Sequence, residues 1–153
     1  MSAAGQEAQD RAERLVNLMV ARDGFSAWLG IEIVEIRPAA AVLRMTVRKD
    51  MLNGFGVCHG GIPYSLADSA LAFASNTHGT VTVSIQNSIS YPAPVLEGDI
   101  LTAVAEELSA ANRVAFYQVT LTNQAGAKVG HFTGTVYRTT RPLDPLAFSD
   151  SAR

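Results

Sequence analysis

The spacing of hydrophobic residues changes along this chain, and each spacing predicts a different element. Residues 6 to 22 set Ala8, Leu15, Leu18, Met19 and Ala21 among charges, with Glu7, Asp10 and Glu13 early and Arg14 and Arg22 late. That is the pattern of an amphipathic helix whose end charges suit the helix dipole. Asp23 and Gly24 are expected to stop it. The segment from Phe25 to Gly30 predicts a short helical turn that docks Phe25, Trp28 and Leu29 on the core, and Gly30 releases the chain into residues 31–37. Their β-branched content favours a strand, although the alternation is imperfect: Ile31, Ile33 and Glu35 share one face, and Glu32, Val34 and Ile36 the other. After a turn at residues 37–40, Val42, Arg44, Thr46 and Arg48 alternate with Leu43, Met45 and Val47, which predicts a half-buried strand in a hairpin with its predecessor.

From about Gly60 to Ser75 the apolar residues Ile62, Leu66, Ala67, Ala70, Leu71, Ala72, Phe73 and Ala74 occupy more than one helical face, the composition of a helix wrapped by other structure. Asn76 to Gly79 end it. Period two then takes over. Residues 80–91 place Val81, Val83 and Ile85 on one face and Thr82, Ser84 and Gln86 on the other, and strands follow at 100–108, 114–122 and 129–139. Two strands, a buried helix and a four-stranded meander give an α+β fold, an antiparallel sheet curled around one helix. The 153 residues are one domain's worth, 1–153, with an N-terminal helix in 1–24. The tail from Arg141 to Arg153, holding two prolines and few apolar residues, is expected to be mobile.

Composition narrows the class of function. A net charge of −2 without a Lys/Arg cluster leaves no electrostatic footprint for nucleic acid or an anionic membrane. The lone cysteine, Cys58, excludes an intrachain disulfide framework and any multi-cysteine metal site, and fits a reducing cytoplasm. The N-terminal residues lack the pattern of a signal peptide, and no run of about 18 apolar residues occurs. A hydrophobic content of 48% leans toward a chain that hides further surface in an oligomer.

Candidate chemistry centres on Asp68, the only charge of the apolar helix. An ionised carboxylate there costs several kcal/mol unless it is paired or hydrated, so a purely structural helix would carry Ala or Leu. The alternative is an Asp on a solvated stripe with Ser65, Ser69 and Ser75. The turn before the helix supplies the complement. Gly60 and Gly61 leave backbone N–H groups open at a helix N-terminus, a place suited to a developing oxyanion, and Pro63 fits the first turn. Eight residues separate Gly60 from Asp68, or ~12 Å at ~1.5 Å per residue, so one carbonyl group cannot touch both within a chain. If both act on one substrate, they come from two subunits, and a two-fold dimer with antiparallel helices makes two equivalent sites.

These residues resemble a known family. The pattern Asn53, His59, Gly60, Gly61, Leu66, Ala67 and Asp68, with Met51 to Gly54, Ala70 to Asn76 and the turn Glu97-Gly98-Asp99, is similar to hotdog-fold thioesterases of the PaaI type. The resemblance covers the chain from about Trp28 to Arg138. It implies hydrolysis of an aromatic acyl-CoA, phenylacetyl-CoA or its ring-hydroxylated forms first, with the two halves of each site drawn from different subunits; a cytoplasmic homodimer with shared sites, paired into a homotetramer because the fold leaves a sheet edge to be covered, is the expected state. It implies that Asp68 is nucleophile or general base, that the Gly60 N–H polarises the thioester carbonyl, and that Asn53 places substrate or water. Ser84 matches a serine that in some relatives holds the attacking water, and His59 orients the loop or lies near the carbonyl. Phe55 stands where many relatives carry a histidine, a departure that bears on the acyl pocket. No metal and no cofactor are expected, coenzyme A being part of the substrate; Arg113, Lys128, Arg138 and Arg141 are candidates for its phosphates. The rival readings are a hotdog hydratase or dehydratase using His59 with the carboxylate, and a non-catalytic acyl-CoA-binding regulator.

Overall fold

The computed structural model describes residues 1–149 and gathers them around one helix, α3 (Gly61–Ser75). Pro63, Leu66, Ala67, Ala70, Leu71, Phe73 and Ala74 are buried on several of its faces, as its near-continuous apolar sequence requires. Around it curls a six-stranded antiparallel sheet. Its strands are β1 (Glu32–Arg37), β2 (Ala40–Thr46), β3 (Thr80–Ser90), β4 (Ile100–Ala111), β5 (Val114–Thr122) and β6 (Lys128–Pro142). A sheet wrapped on a central helix is the hotdog arrangement that the motif resemblance implied.

The strand order β1-β2-β4-β5-β6-β3 corrects the expected four-stranded meander. β4, β5 and β6 do follow one another, but β3 crosses to the far edge and pairs with β6. The flank of β4 that β3 would have used is taken by β2, in register from Ala40↔Glu106 to Thr46↔Ile100. Inward residues Ala115, Tyr117, Val119 and Leu121 of β5 and Phe132 and Val136 of β6 close on α3. Gly134 of β6 lies where the helix comes nearest. A Cβ built there would sit 2.5 Å from Leu71 Cδ2 and 3.0 Å from Asn87 Oδ1, so this close approach needs a residue without a side chain.

β3 departs from the regular alternation read in the sequence. Ser84 pairs with Val136, but the next pairs are Gln86 with Thr135 and Asn87 with Gly134, so Ile85 is an extra residue at a bulge. Cross-strand partners share a face, and Val136 and Gly134 are buried beneath the helix. Ser84 and Asn87, three positions apart, therefore both face α3. Val83 and Ile85, expected to share one face, are 46% and 58% exposed.

Other expectations also need correction. The N-terminal helix, α1 (Ala3–Val20), starts earlier than expected because the Ser2 hydroxyl caps the Gly5 N–H. Asp23 starts a helix rather than stopping one. Its carboxylate accepts from the Ser26 N–H and hydroxyl at the head of α2 (Gly24–Leu29). Such a short helix has one face to bury, and Ser26 and Leu29 fill it. Phe25 and Trp28 stack on each other outside the core, with the Arg48 guanidinium 5.2 Å over the indole. The imperfect alternation of β1 has a cause in a bulge between Ile33 and Glu35. At the C-terminus β6 runs on to Pro142, Leu143 is buried, and Asp144 caps a turn at Pro145–Phe148 whose last carbonyl accepts from Arg22. The tail expected to be mobile thus has a defined place from Arg141 to Ser149; its residues 150–153 lie outside the described residues.

Candidate active site

Asp68 sits in the middle of α3, half-buried, on the side that meets β3. Its Oδ1 accepts from the side-chain amide of Asn87 at 3.0 Å, and the Asn87 Oδ1 accepts from the Ser84 hydroxyl at 2.7 Å. Burial raises the carboxyl above its ordinary range, and the hydrogen bond from Asn87 pulls it part of the way back. No cation contributes. The alternative of a solvated serine stripe does not hold, since Ser69 is buried against the Ser26 hydroxyl at 2.9 Å and Ser75 is buried with its hydroxyl on Ala72 O.

The loop before α3 is tied from several sides. Leu52 bridges Cys58, and the Asn53 side-chain oxygen accepts from the N–H groups of Phe55 and Val57, with Gly56 in the left-handed region at φ 77°. Asn53 thus spends its carbonyl on shaping the loop and has only its NH2 left for a substrate. The His59 N–H donates to Met51 O, while its Nδ1 accepts from the Gly61 N–H at 3.0 Å. This removes Gly61 from the donors expected to be open, and in the neutral ring it places the proton on Nε2. The Gly60 N–H has no acceptor among the described residues. It remains the open donor at the head of α3, ~12 Å along the axis from Asp68.

Sequence reasoning missed Tyr91 and Asn87. The Tyr91 hydroxyl donates to the Gly60 carbonyl at 2.6 Å, and its ring lies 3.2 Å from where a Cβ on Gly60 would be. The peptide that follows the open N–H, from Gly60 to Gly61, is thereby held at its oxygen by the segment that leaves β3. Phe55 stands in the loop before α3, 94% exposed. Ser84 reaches Asp68 only through Asn87.

The four cations considered for coenzyme A phosphates are not brought together. Arg138 is committed to Glu107 at 2.7 Å, beside the Tyr117 hydroxyl and His78, and its Nε is buried without an acceptor. Arg113 adjoins it through the bond from Arg138 N–H to Arg113 O. Lys128 starts β6, roughly 33 Å down the strand from Arg138 at ~3.3 Å per residue. Among the described residues no cluster of His, Cys, Asp and Glu could hold a metal ion, and no helix is long and apolar enough to cross a membrane.

A helix wrapped in a hotdog sheet, with a half-buried carboxylate mid-helix and an open glycine N–H at its head, defines the class, and the chain belongs to the thioesterase superfamily, whose family model matches residues 55–129. It is 35% identical over 128 residues to acyl-coenzyme A thioesterase PaaI of Escherichia coli, covering 84% of this chain and 91% of that protein. The structure of the E. coli PaaI protein from the phenylacetic acid degradation operon superposes with a TM-score of 0.85 at 34% identity, over 88% of this chain and 97% of the other. A hypothetical thioesterase protein from Streptococcus pneumoniae solved with coenzyme A superposes with a TM-score of 0.70 at 28% identity, over 73% of this chain and 90% of that one. The chain is therefore a thioester hydrolase with the hotdog fold, as the motif implied.

Proposed function

We propose that this chain hydrolyses aromatic acyl-CoA thioesters, phenylacetyl-CoA or its hydroxylated forms first, at sites shared across a homodimer. The observation that carries the reading is Asp68: a half-buried carboxylate, alone in an apolar helix, held by a neutral amide and balanced by no cation. A carboxylate so placed is more basic than one in water and is open to a ligand through Oδ2. In the reaction Asp68 either attacks the thioester carbon, forming a mixed anhydride that water then hydrolyses to release the acid and restore the carboxylate, or takes a proton from the water that attacks that carbon. The partner subunit's Gly60 donates its N–H to the carbonyl oxygen as it becomes an oxyanion. The C–S bond then breaks and the thiolate of coenzyme A leaves, a good leaving group that needs no metal. The exposed phenyl ring of Phe55 supplies an apolar surface for an aryl group, and similarity to PaaI of the phenylacetic acid degradation operon supports that acyl class.

The edge of β3 supports the dimer. It pairs only with β6, and Val83 and Ile85 on it are exposed, so a second copy related by a two-fold axis can extend the sheet and cover them. Phe116 and Tyr137 on the outer sheet face are 41% and 38% exposed, a surface for pairing dimers into a tetramer.

Hybrid dimers test the shared site. Asp68→Asn and Gly60→Pro chains, each separately reduced by a hundredfold or more in coenzyme A release from phenylacetyl-CoA, are unfolded and refolded together. Half of the randomly mixed dimers are hybrids with one intact site of two, so about a quarter of parental activity returns. No recovery from well-folded mixed dimers would refute sharing, and near-parental turnover by Asp68→Asn alone would refute the catalytic assignment.

A further inference from the structure

The shared-site chemistry leaves unexplained why β3 breaks its pairing beside Asp68. Without the bulge at Ile85, residue 87 would lie on the opposite face from Ser84. With it, the Asn87 side chain enters the space above Gly134, where a Cβ would come within 3.0 Å of its Oδ1. The amide can lie either way round, and Asp68 decides which, because an ionised carboxylate only accepts and so takes the NH2 end. The Asn87 Oδ1 is then left to accept from the Ser84 hydroxyl, which braces the amide in that orientation.

We propose that Asn87 is a positioning residue for Asp68: its side-chain amide, braced by the Ser84 hydroxyl, fixes Oδ1 and leaves Oδ2 turned toward the thioester. This rests on the reading of Asp68 as the group that activates the attacking oxygen. A neutral amide suits that task better than a cation. An Arg or Lys at 3 Å would hold the carboxylate so low that it became a poor base, whereas with no donor its ionised form would be disfavoured by burial.

Among the described residues the protonation of Asp68 is shifted by burial and by Asn87, and by no other ionisable group; Glu106 of β4 is exposed. α3 has no second charge, and its Tyr64 packs its ring edge-on to Phe132. β3 has no ionisable side chain. On the other elements against α3, Asp23 is held by Ser26, Glu107 is shared by Tyr117, Arg138 and His78, and Arg44 pairs with Glu32 across the outer face of β2 and β1. Glu35 of β1 pairs with Arg37, and His131, Tyr137 and Lys128 are exposed.

The test is the pH profile of kcat/KM, with phenylacetyl-CoA as substrate, in Asn87→Leu and Asn87→Ala, which remove the donor from this edge strand with and without keeping the side-chain bulk. Loss of the donor raises the Asp68 pKa further, so the acid limb, where activity rises as the carboxylate ionises, moves to higher pH. The expected shift is about one unit, or ~tenfold in rate on the acid side, with KM changed less than about twofold because Asn87 touches no substrate. Ser84→Ala should move the limb the same way by less, and Ser84→Thr should restore it. Folded Asn87 variants with the parental acid limb and kcat would overturn the proposal. Asp68→Asn run in parallel separates the two failures. If it is inactive while Asn87→Leu behaves as parent, only the Asn87 assignment falls; if it retains turnover, the reading of Asp68 falls with it.

Discussion

Gly134→Ala joins the packing of the fold to the chemistry of the site in one methyl group. The added Cβ would lie 2.5 Å from Leu71 Cδ2, 3.2 Å from Leu71 Cδ1 and 3.0 Å from Asn87 Oδ1. Ordinary contacts are 3.5–4.0 Å between carbons, so the nearest pair overlaps by about 1 Å. A single rotation does not relieve it, because both Leu71 methyls are in the way and Leu71 is only 1% exposed. Overpacking of this kind costs about 1–3 kcal/mol, while the lower entropy of the unfolded alanine chain returns about 0.4–1 kcal/mol. The net loss is then on the order of 1–2 kcal/mol, which for a chain of this size lowers Tm by about 2–8 °C. Calorimetry should show that fall, with Gly24→Ala as the control, since a Cβ there meets nothing within 4 Å. Turnover should drop severalfold in the folded Gly134 variant, because the same methyl displaces the Asn87 side chain. A Tm within about 1 °C of parent would mean that α3 does not approach β6 as closely as 2.5 Å implies.

Asp68→Asn should raise thermal stability at neutral pH while abolishing turnover, since folding moves an ionised carboxylate into a half-buried site. The sign follows from the raised pKa: the folded protein holds its proton to higher pH than the unfolded chain, so Asp68 imposes no penalty below the unfolded pKa and an increasing one as pH rises through the folded value. The Tm difference between parent and variant should therefore vanish in acid and open toward neutral pH, and a difference independent of pH would contradict it. Cys58, with its thiol pushed up to about 11 chiefly by burial, should resist iodoacetamide at pH 8 in the native protein and react at once in denaturant. Rapid native labelling without unfolding would show that the loop opens.

The sequence made α3 legible almost to the residue, because a run that is apolar on several faces and carries one charge admits few other readings. β5 was equally clear, its strict alternation bounded by turn residues on both sides. Strand order was not legible. Periodicity says which face a residue takes but not which neighbour its strand meets, and the placement of β3 beside β6 follows from β2 occupying β4. The bulge at Ile85 was hidden for a related reason, since an inserted apolar residue in an edge strand leaves the composition unchanged. Asp68 and Gly60 could be singled out because a charge in an apolar helix and glycines before a helix are anomalies. Asn87 and Tyr91 could not, because Asn and Tyr on an edge strand and its exit look like ordinary surface. Ser69 and Ser75 misled in the opposite direction, being polar in name but satisfied within the core by Ser26 and by a helix carbonyl.

The pinning of Gly60 by Tyr91 has a consequence for kinetics. In the shared-site dimer proposed above, the Asp68 of a chain would belong to one site and its Gly60 to the other. Asn87, which holds the first, and Tyr91, which holds the second, are four residues apart on one stretch of backbone, ~13 Å at ~3.3 Å per residue. Occupancy of one site that shifts this stretch also moves the oxyanion donor of its mate. The two sites of the proposed dimer would then share a short mechanical lever, and saturation curves with a Hill coefficient away from one, or reaction at half of the sites, would have their physical carrier in β3.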